Sequence, residues 1–264
     1  MAEPKALIIT GYGLNCEDET EHVFQLAGAQ PEKVHVSEII AGDKKITDYQ
    51  ILAFIGGFCD GDHLGAGTVQ ASRFRHKLAD DLAKFIDNGR LIIAICNGFQ
   101  TAVKMGILPA DDGDYRKKTA TLTTNDSGIF EDRWVYLRVN TESPCIWTKS
   151  IERLYLPVRH GEGKFFTQDE FLLDRLFDKN LFVCQYADPD LKPTMEYPAN
   201  PNGSLEAIAG ICDPSGRIFG LMPHPEAYWS PYNHPSWTRL KIEGKMPEEG
   251  EGVQIFRNAV RYFE

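Results

Sequence analysis

The chain contains no run of about 18–20 apolar residues, so nothing in it reads as a membrane-spanning helix. Its first residues, "MAEPKALIIT", lack the basic n-region and long apolar h-region of a signal peptide, and a cytoplasmic protein is expected. Positive charge is scarce: 28 Lys and Arg stand against 38 Asp and Glu, a formal net charge of −10. Binding to DNA or RNA needs a basic footprint, so a nucleic-acid partner is not expected, and neither is a membrane. The six cysteines (Cys16, Cys59, Cys96, Cys145, Cys184, Cys212) include no C-x-x-C pair, which argues against a zinc ribbon or a small disulfide framework. No G-x-x-x-x-G-K-[ST] sequence is present to cradle nucleotide phosphates. Repeats and low-complexity linkers are also missing. The 264 residues read most economically as one domain spanning 1–264.

What the chain does contain is short, continuous apolar runs. "KALIIT" (residues 5–10), "ILAFIGG" (51–57) and "LIIAI" (91–95) read as strands buried on both faces. Helix formers lie between them over 19–28 and 73–89. In the second stretch Phe74, Leu78, Leu82, Phe85 and Ile86 share one face, and Asn88-Gly89 supplies a stop. After Cys96 the segment 98–105 reads as helix, ended by Gly106 and Pro109. Strand alternating with helix predicts an α/β fold with a mostly parallel central sheet. The middle of the chain changes character. "RWVYLRV", "RLYLPV", "LFVCQY" and "EAIAGI" have few helices between them and predict an antiparallel extension. "RIFGL" is a further strand, and 253–263 places Val253, Phe256, Val260 and Phe263 on one stripe of a docked helix. The Pro/Gly-rich, charged stretch 232–252 reads as a mobile insertion.

Cys96 sits where a buried strand gives way to a helix, with the small residues Ala94 and Gly98 on either side. In a parallel sheet, ligands bind beyond the carboxyl ends of the strands. A helix N-terminus there favours a thiolate and offers donors to an oxyanion. The pattern is the cysteine form of a nucleophile elbow; the competing reading is a buried cysteine that caps a strand. A nucleophile needs a base. His224, in "GLMPHPEAY", follows another apolar run, and Glu226 lies two residues on, on the same side of an extended chain. Glu226 then orients one ring nitrogen and leaves the other for the thiol. A surface turn is the plainer alternative for "PHPE". His160, with Glu162 nearby, is a rival base, and Cys59, in a Gly-rich loop, a rival nucleophile. Residue chemistry alone leaves a peptidase, thioesterase, amidase or redox enzyme open.

Taken together, "ICNGFQ", "IGGF", "LPVRHGEG", "NPNGS" and "GLMPHPE" resemble the class I glutamine amidotransferases. "NDSGIFEDRWVYLRV" and "NPNGSLEAIAGI" further resemble the glutaminase subunits of phosphoribosylformylglycinamidine synthase, over nearly the whole chain. The resemblance implies a flavodoxin-like fold and a Cys96–His224–Glu226 triad that hydrolyses L-glutamine through a thioester and supplies ammonia to a synthetase. It implies oxyanion donors at the N–H groups of Gly57 and Asn97, and substrate contacts from Gln100, Asn125 and Ser127. No cofactor is implied for this chain, since ATP and Mg would be used by the synthetase subunit (PurL); a small third subunit (PurS) is the other implied partner. Two departures are visible. Ala94 stands where the family usually has Gly, and "GGFCDGDHLGAG" differs from the usual "GGFSYGDYLRAG" at Cys59, Asp60, His63 and Gly65. The alternatives are a glutaminase subunit serving another synthetase, and a non-catalytic assembly module of the same fold.

Overall fold

The computed structural model describes residues 3–264. Its strands are β1 (Lys5–Thr10), β2 (Gln30–His35), β3 (Ile51–Phe54), β4 (Leu91–Ile95), β5 (Thr121–Thr123), β6 (Glu131–Val139), β7 (Arg153–His160), β8 (Lys164–Phe166), β9 (Phe182–Ala187), β10 (Ile208–Cys212) and β11 (Ile218–Leu221). The α-helices are α1 (Glu17–Ala27), α2 (Val36–Ala41), α3 (Thr68–Lys77), α4 (Ala79–Asp87), α5 (Asn97–Met105), α6 (Leu172–Asp178), α7 (Trp237–Ile242) and α8 (Val253–Arg261).

Nine strands form one sheet in the order β2-β1-β3-β4-β11-β10-β9-β6-β7, and β5 and β8 pair separately. The first five are parallel to one another, in the order of a flavodoxin-like sheet. The rest pair antiparallel, starting with the β10–β11 hairpin. The apolar runs form the centre: every residue of β3, β4 and β11 is buried. Both faces must therefore be covered. On one part of the sheet α1 and α8 pack together, with Phe24 and Phe256 edge to face at 4.9 Å.

Two expectations need amending, and one strand was not expected. The single helix over 73–89 is two, α3 and α4, because Leu78 leaves helical geometry at φ −127° and ψ 13°. Its N–H closes α3 on Phe74 O and its carbonyl opens α4 by accepting from Leu82 N–H. Strand β2, "QPEKVH", gave no apolar signal, since only Val34 is buried; as the sheet edge it tolerates Pro31. The 232–252 stretch carries α7 and is tied back at both ends. His234 packs on Trp134, Tyr155 and Tyr228, and Gly252 N–H donates to Tyr228 O.

Candidate active site

Beyond the carboxyl ends of β1, β3, β4 and β11 lie Cys16, Gly57, Cys96 and His224, and all four line one cavity of about 100 Å³. An adjoining cavity of about 110 Å³ shares Gly57, Phe58, Cys96, Phe130 and Arg159 and adds Asp62, Gln100, His160 and Glu162. A roomier cleft of about 800 Å³ runs beside β5 and β8, but Lys, Thr, Asp and Phe side chains line it with neither cysteine nor histidine.

Cys96 links β4 to α5 at φ 52° and ψ −107°. A non-glycine residue at positive φ is strained, and such strain collects at functional turns. The turn is held by Cys96 N–H donating to Leu221 O at 2.9 Å and Gln100 N–H donating to Cys96 O at 3.0 Å. Gly98 is required beside it, because a Cβ there would sit 2.1 Å from Phe54 O. Ala94 is accommodated in β4, between Phe54 and Gly220, without disturbing the turn. The thiol lies 3.5 Å from Arg159 O, and the first N–H groups of α5 follow it.

His224 is buried at the exit of β11. Its Nδ1 meets Glu226 Oε1 at 2.5 Å, as the sequence predicts, but by a different route. Pro225–Ala227 form a 3₁₀ turn rather than extended chain, and Glu226 folds back to the Nδ1 edge of the ring. His224 Nε2 is buried and has no hydrogen-bond partner among the described residues. Burial works against the imidazolium, but the Glu226 carboxylate, joined by the Cys96 and Cys16 sulfurs, raises the His224 pKa well above its ordinary value. Burial also raises the Cys16 pKa, so its thiol stays neutral beside the ring. Cys16, His224 and Glu226 bring S, N and O donors within 4.8 Å of one another, a set that suits zinc in kind. The direct Nδ1–Oε1 contact occupies two of those donors with each other.

The rivals are held in other contacts. His160 is buried between amides, with Nδ1 3.2 Å from Asn125 Oδ1 and Nε2 3.4 Å from Asn202 Nδ2. Burial, with His224 nearby, pushes its pKa down to about 3. Glu162 does not reach it; its carboxylate accepts from Ala66 N–H. Cys59 donates to Asp60 Oδ2, and burial with that carboxylate pushes its thiol up to about 12.

Gly57 takes φ 139°, and a Cβ there would lie 2.6 Å from Gly13 O and Leu14 Cα. The bridge to Leu14 is made by Asn15 N–H to Gly56 O and Phe58 N–H to Gly13 O, so the N–H of Gly57 points away from it. Gln100 lines the second cavity, where Nε2 donates to Glu162 O at 2.6 Å and Oε1 accepts from Asn97 Nδ2. Asn125 is committed to structure. Its amide donates to Ile129 O and His160 O and accepts from Gly163 N–H, tying two loops together. Ser127 is exposed and lines a separate hollow with Met195 and Tyr197. Neither Asn125 nor Ser127 lines the cavities at Cys96. Phe58, Phe130, Arg159 and Cys16 do, and no motif or spacing singles them out.

The model of the CobB/CobQ-like glutamine amidotransferase domain matches residues 3–263. The chain belongs to that family. Within it, the chain is 49% identical to the phosphoribosylformylglycinamidine synthase subunit PurQ of Dehalococcoides mccartyi, over 99% of this chain and 98% of that one. It is 44% identical to the PurQ subunit of Methanococcus maripaludis strain C7, over 98% and 97%. Among solved structures, PurLQS from Thermotoga maritima contains a chain that superposes with a TM-score of 0.70 at 30% identity, covering all of both chains. In this glutamine amidotransferase the meeting of thiol, imidazole and carboxylate comes from two loops of one sheet rim, after β4 and after β11.

Proposed function

We propose that the chain is the glutaminase subunit of phosphoribosylformylglycinamidine synthase. It hydrolyses L-glutamine and passes ammonia to a synthetase subunit, PurL, which converts formylglycinamide ribonucleotide to formylglycinamidine ribonucleotide in de novo purine biosynthesis. The observation that carries this reading is the meeting of Cys96 and His224 at one cavity, with Glu226 on the Nδ1 of His224, in a chain 49% identical to a named PurQ subunit.

The chemistry follows from the site. Cys96 Sγ attacks the side-chain amide carbon of glutamine while His224 Nε2 takes the thiol proton. The N–H groups of Gly57 and Asn97 receive the oxyanion. His224 returns its proton to the departing nitrogen, the C–N bond breaks, and ammonia leaves a thioester on Cys96. Water, deprotonated by His224, attacks that thioester, and glutamate leaves as the C–S bond breaks. Glu226 keeps Nδ1 protonated and steadies the imidazolium at both stages. Gln100 and Asn97 hold the cavity wall through Glu162 O and Asp62.

ATP and Mg belong to the synthetase in this reading, and a small PurS subunit completes the complex in the cytoplasm. No helix among the described residues is long and apolar enough to cross a membrane. The rim of the cavity suits a partner: Phe58 and Phe130 line it, pack together and are both exposed. Ammonia release from glutamine, measured with and without the synthetase and small subunits, tests the reading. Release is low alone and rises in the complex. Cys96→Ala abolishes glutamine-dependent synthesis and leaves ammonia-dependent synthesis intact; near-normal use of glutamine by this variant defeats the proposal.

A further inference from the structure

Cys16 is a second thiol in the catalytic cavity, and cleavage of glutamine leaves it unused. It lies in the loop after β1, as the N-cap of α1, and is buried. Its Sγ, a nitrogen of the His224 imidazole and an oxygen of the Glu226 carboxylate all lie within 4.8 Å of one another. Gly56 lets sulfur and ring come this close, because a Cβ there would lie 2.8 Å from His224 Cε1 and 3.0 Å from Cys16 Sγ. The Glu226 carboxylate is fully buried, yet only one of its oxygens is used. Oε1 meets His224 Nδ1, while Oε2 has no hydrogen-bond partner among the described residues. A bare anionic oxygen in the interior is costly, so it marks a place that a cation completes. The three donors are sulfur, nitrogen and oxygen. Zinc takes all three kinds, whereas Mg and Ca call for oxygen. Tetrahedral zinc, with bonds of about 2.0–2.3 Å, sets its ligand atoms about 3.3–3.8 Å apart. The widest separation here closes by about 1 Å, and the Nδ1–Oε1 pair opens by a similar amount, shifts within reach of side-chain rotation.

We propose that Cys16, His224 and Glu226 form an inhibitory zinc site behind the catalytic imidazole. The ion takes the place of the proton between Nδ1 and Oε1, and Cys16 joins it as a thiolate. Two protons leave, one from the Cys16 thiol and one from Nδ1, and no oxidation state changes. Water fills the fourth position. A ring tied to a dication at Nδ1 is a poor base at Nε2, and Glu226 can no longer steady an imidazolium. Glutamine cleavage stops, while synthesis from added ammonia continues. The inhibition rests on the glutaminase reading above; the binding of the ion does not. Cys96 Sγ with His224 Nε2 is the competing pair of donors, and the experiment separates the two.

The assembled enzyme is assayed for glutamine-driven and ammonia-driven synthesis over a series of zinc chloride concentrations, with and without a chelator. Wild type, Cys16→Ala and Cys16→Ser are each judged against their own zinc-free rate. Equilibrium dialysis of the isolated chain measures zinc bound to wild type, Cys16→Ala and Cys96→Ala. Zinc inhibits glutamine-driven synthesis by wild type, the chelator restores it, and ammonia-driven synthesis by the same preparation is spared. Loss of one ligand weakens the inhibition by roughly 10- to 100-fold or more in both Cys16 variants. Cys96→Ala still binds the ion, and cobalt in its place shows a sulfur-to-metal charge-transfer absorption that Cys16→Ala lacks. An unchanged inhibition constant in the Cys16 variants overturns the proposal. Loss of the ion from Cys96→Ala assigns the metal to the nucleophile and overturns it as well. Where ammonia-driven synthesis shows the Cys16 variants to be misfolded, the cobalt absorption of Cys96→Ala decides, and its absence removes the site. If the zinc-free wild-type complex releases no ammonia from glutamine, the glutaminase reading and the inhibitory role fall together, and dialysis still decides whether the site exists.

Discussion

Glu226 determines what His224 can do. With its oxygen 2.5 Å from Nδ1, the carboxylate fixes the tautomer and leaves Nε2 for the thiol. It also stabilises the imidazolium, which gives the pair a pH signature. The His224 pKa is raised above its ordinary value, so the stabilisation is fully present below about pH 6.5 and is lost as pH rises through the raised pKa. Thermal melts of wild type and Glu226→Gln should differ most near pH 6 and converge toward alkaline pH. In single-turnover assays His224→Ala should slow thioester formation by several orders of magnitude, as removal of a paired base does elsewhere. These residues were legible in the sequence because each sits in a short motif at the end of an apolar run. Arg159, Phe58 and Phe130 were not: each is one ordinary residue, and only the folded rim gathers them. Ser127, placed at the substrate by resemblance, instead lies in another hollow.

At the scale of elements, the nucleophile depends on how closely α5 approaches β3. Gly98 permits that approach, and Gly98→Ala puts a methyl group 2.1 Å from Phe54 O. The helix must shift, at a cost of about 1–3 kcal/mol of stability. Because Cys96 caps this helix, the rate of Cys96 alkylation should fall along with the denaturation midpoint. The parallel strands were readable because burial on both faces forces unbroken apolar runs. The same logic explains why β2 was missed, since an edge strand with one buried residue carries no such run. The break at Leu78 was also unreadable: Phe74, Leu82, Phe85 and Ile86 remain buried across it, so the helical period survives the kink.

For the whole molecule, acid stability is tied to His160. Its folded pKa of about 3 lies far below that of an unfolded histidine. The unfolded chain therefore binds a proton that the folded chain refuses. Stability from this residue is present above about pH 6.5 and falls as pH drops toward 3, by about 2 kcal/mol between pH 6.5 and pH 5. Urea denaturation of His160→Gln, which keeps a neutral polar group between Asn125 and Asn202, should show a flatter acid limb than wild type. The mixed sheet itself was foreseen as a parallel half with an antiparallel extension. Strand order was not, because pairing between distant segments leaves no local mark in the sequence.

That order governs when the site comes into being. Strand β11 is the last in sequence, yet it fills the gap between β4 and β10, pairing Ile92 with Ile218. A nascent or truncated chain ending before it carries the sulfur without the imidazole. Glutamine is spared from a half-made subunit, and competence to cleave it reports that the final strand has been threaded home.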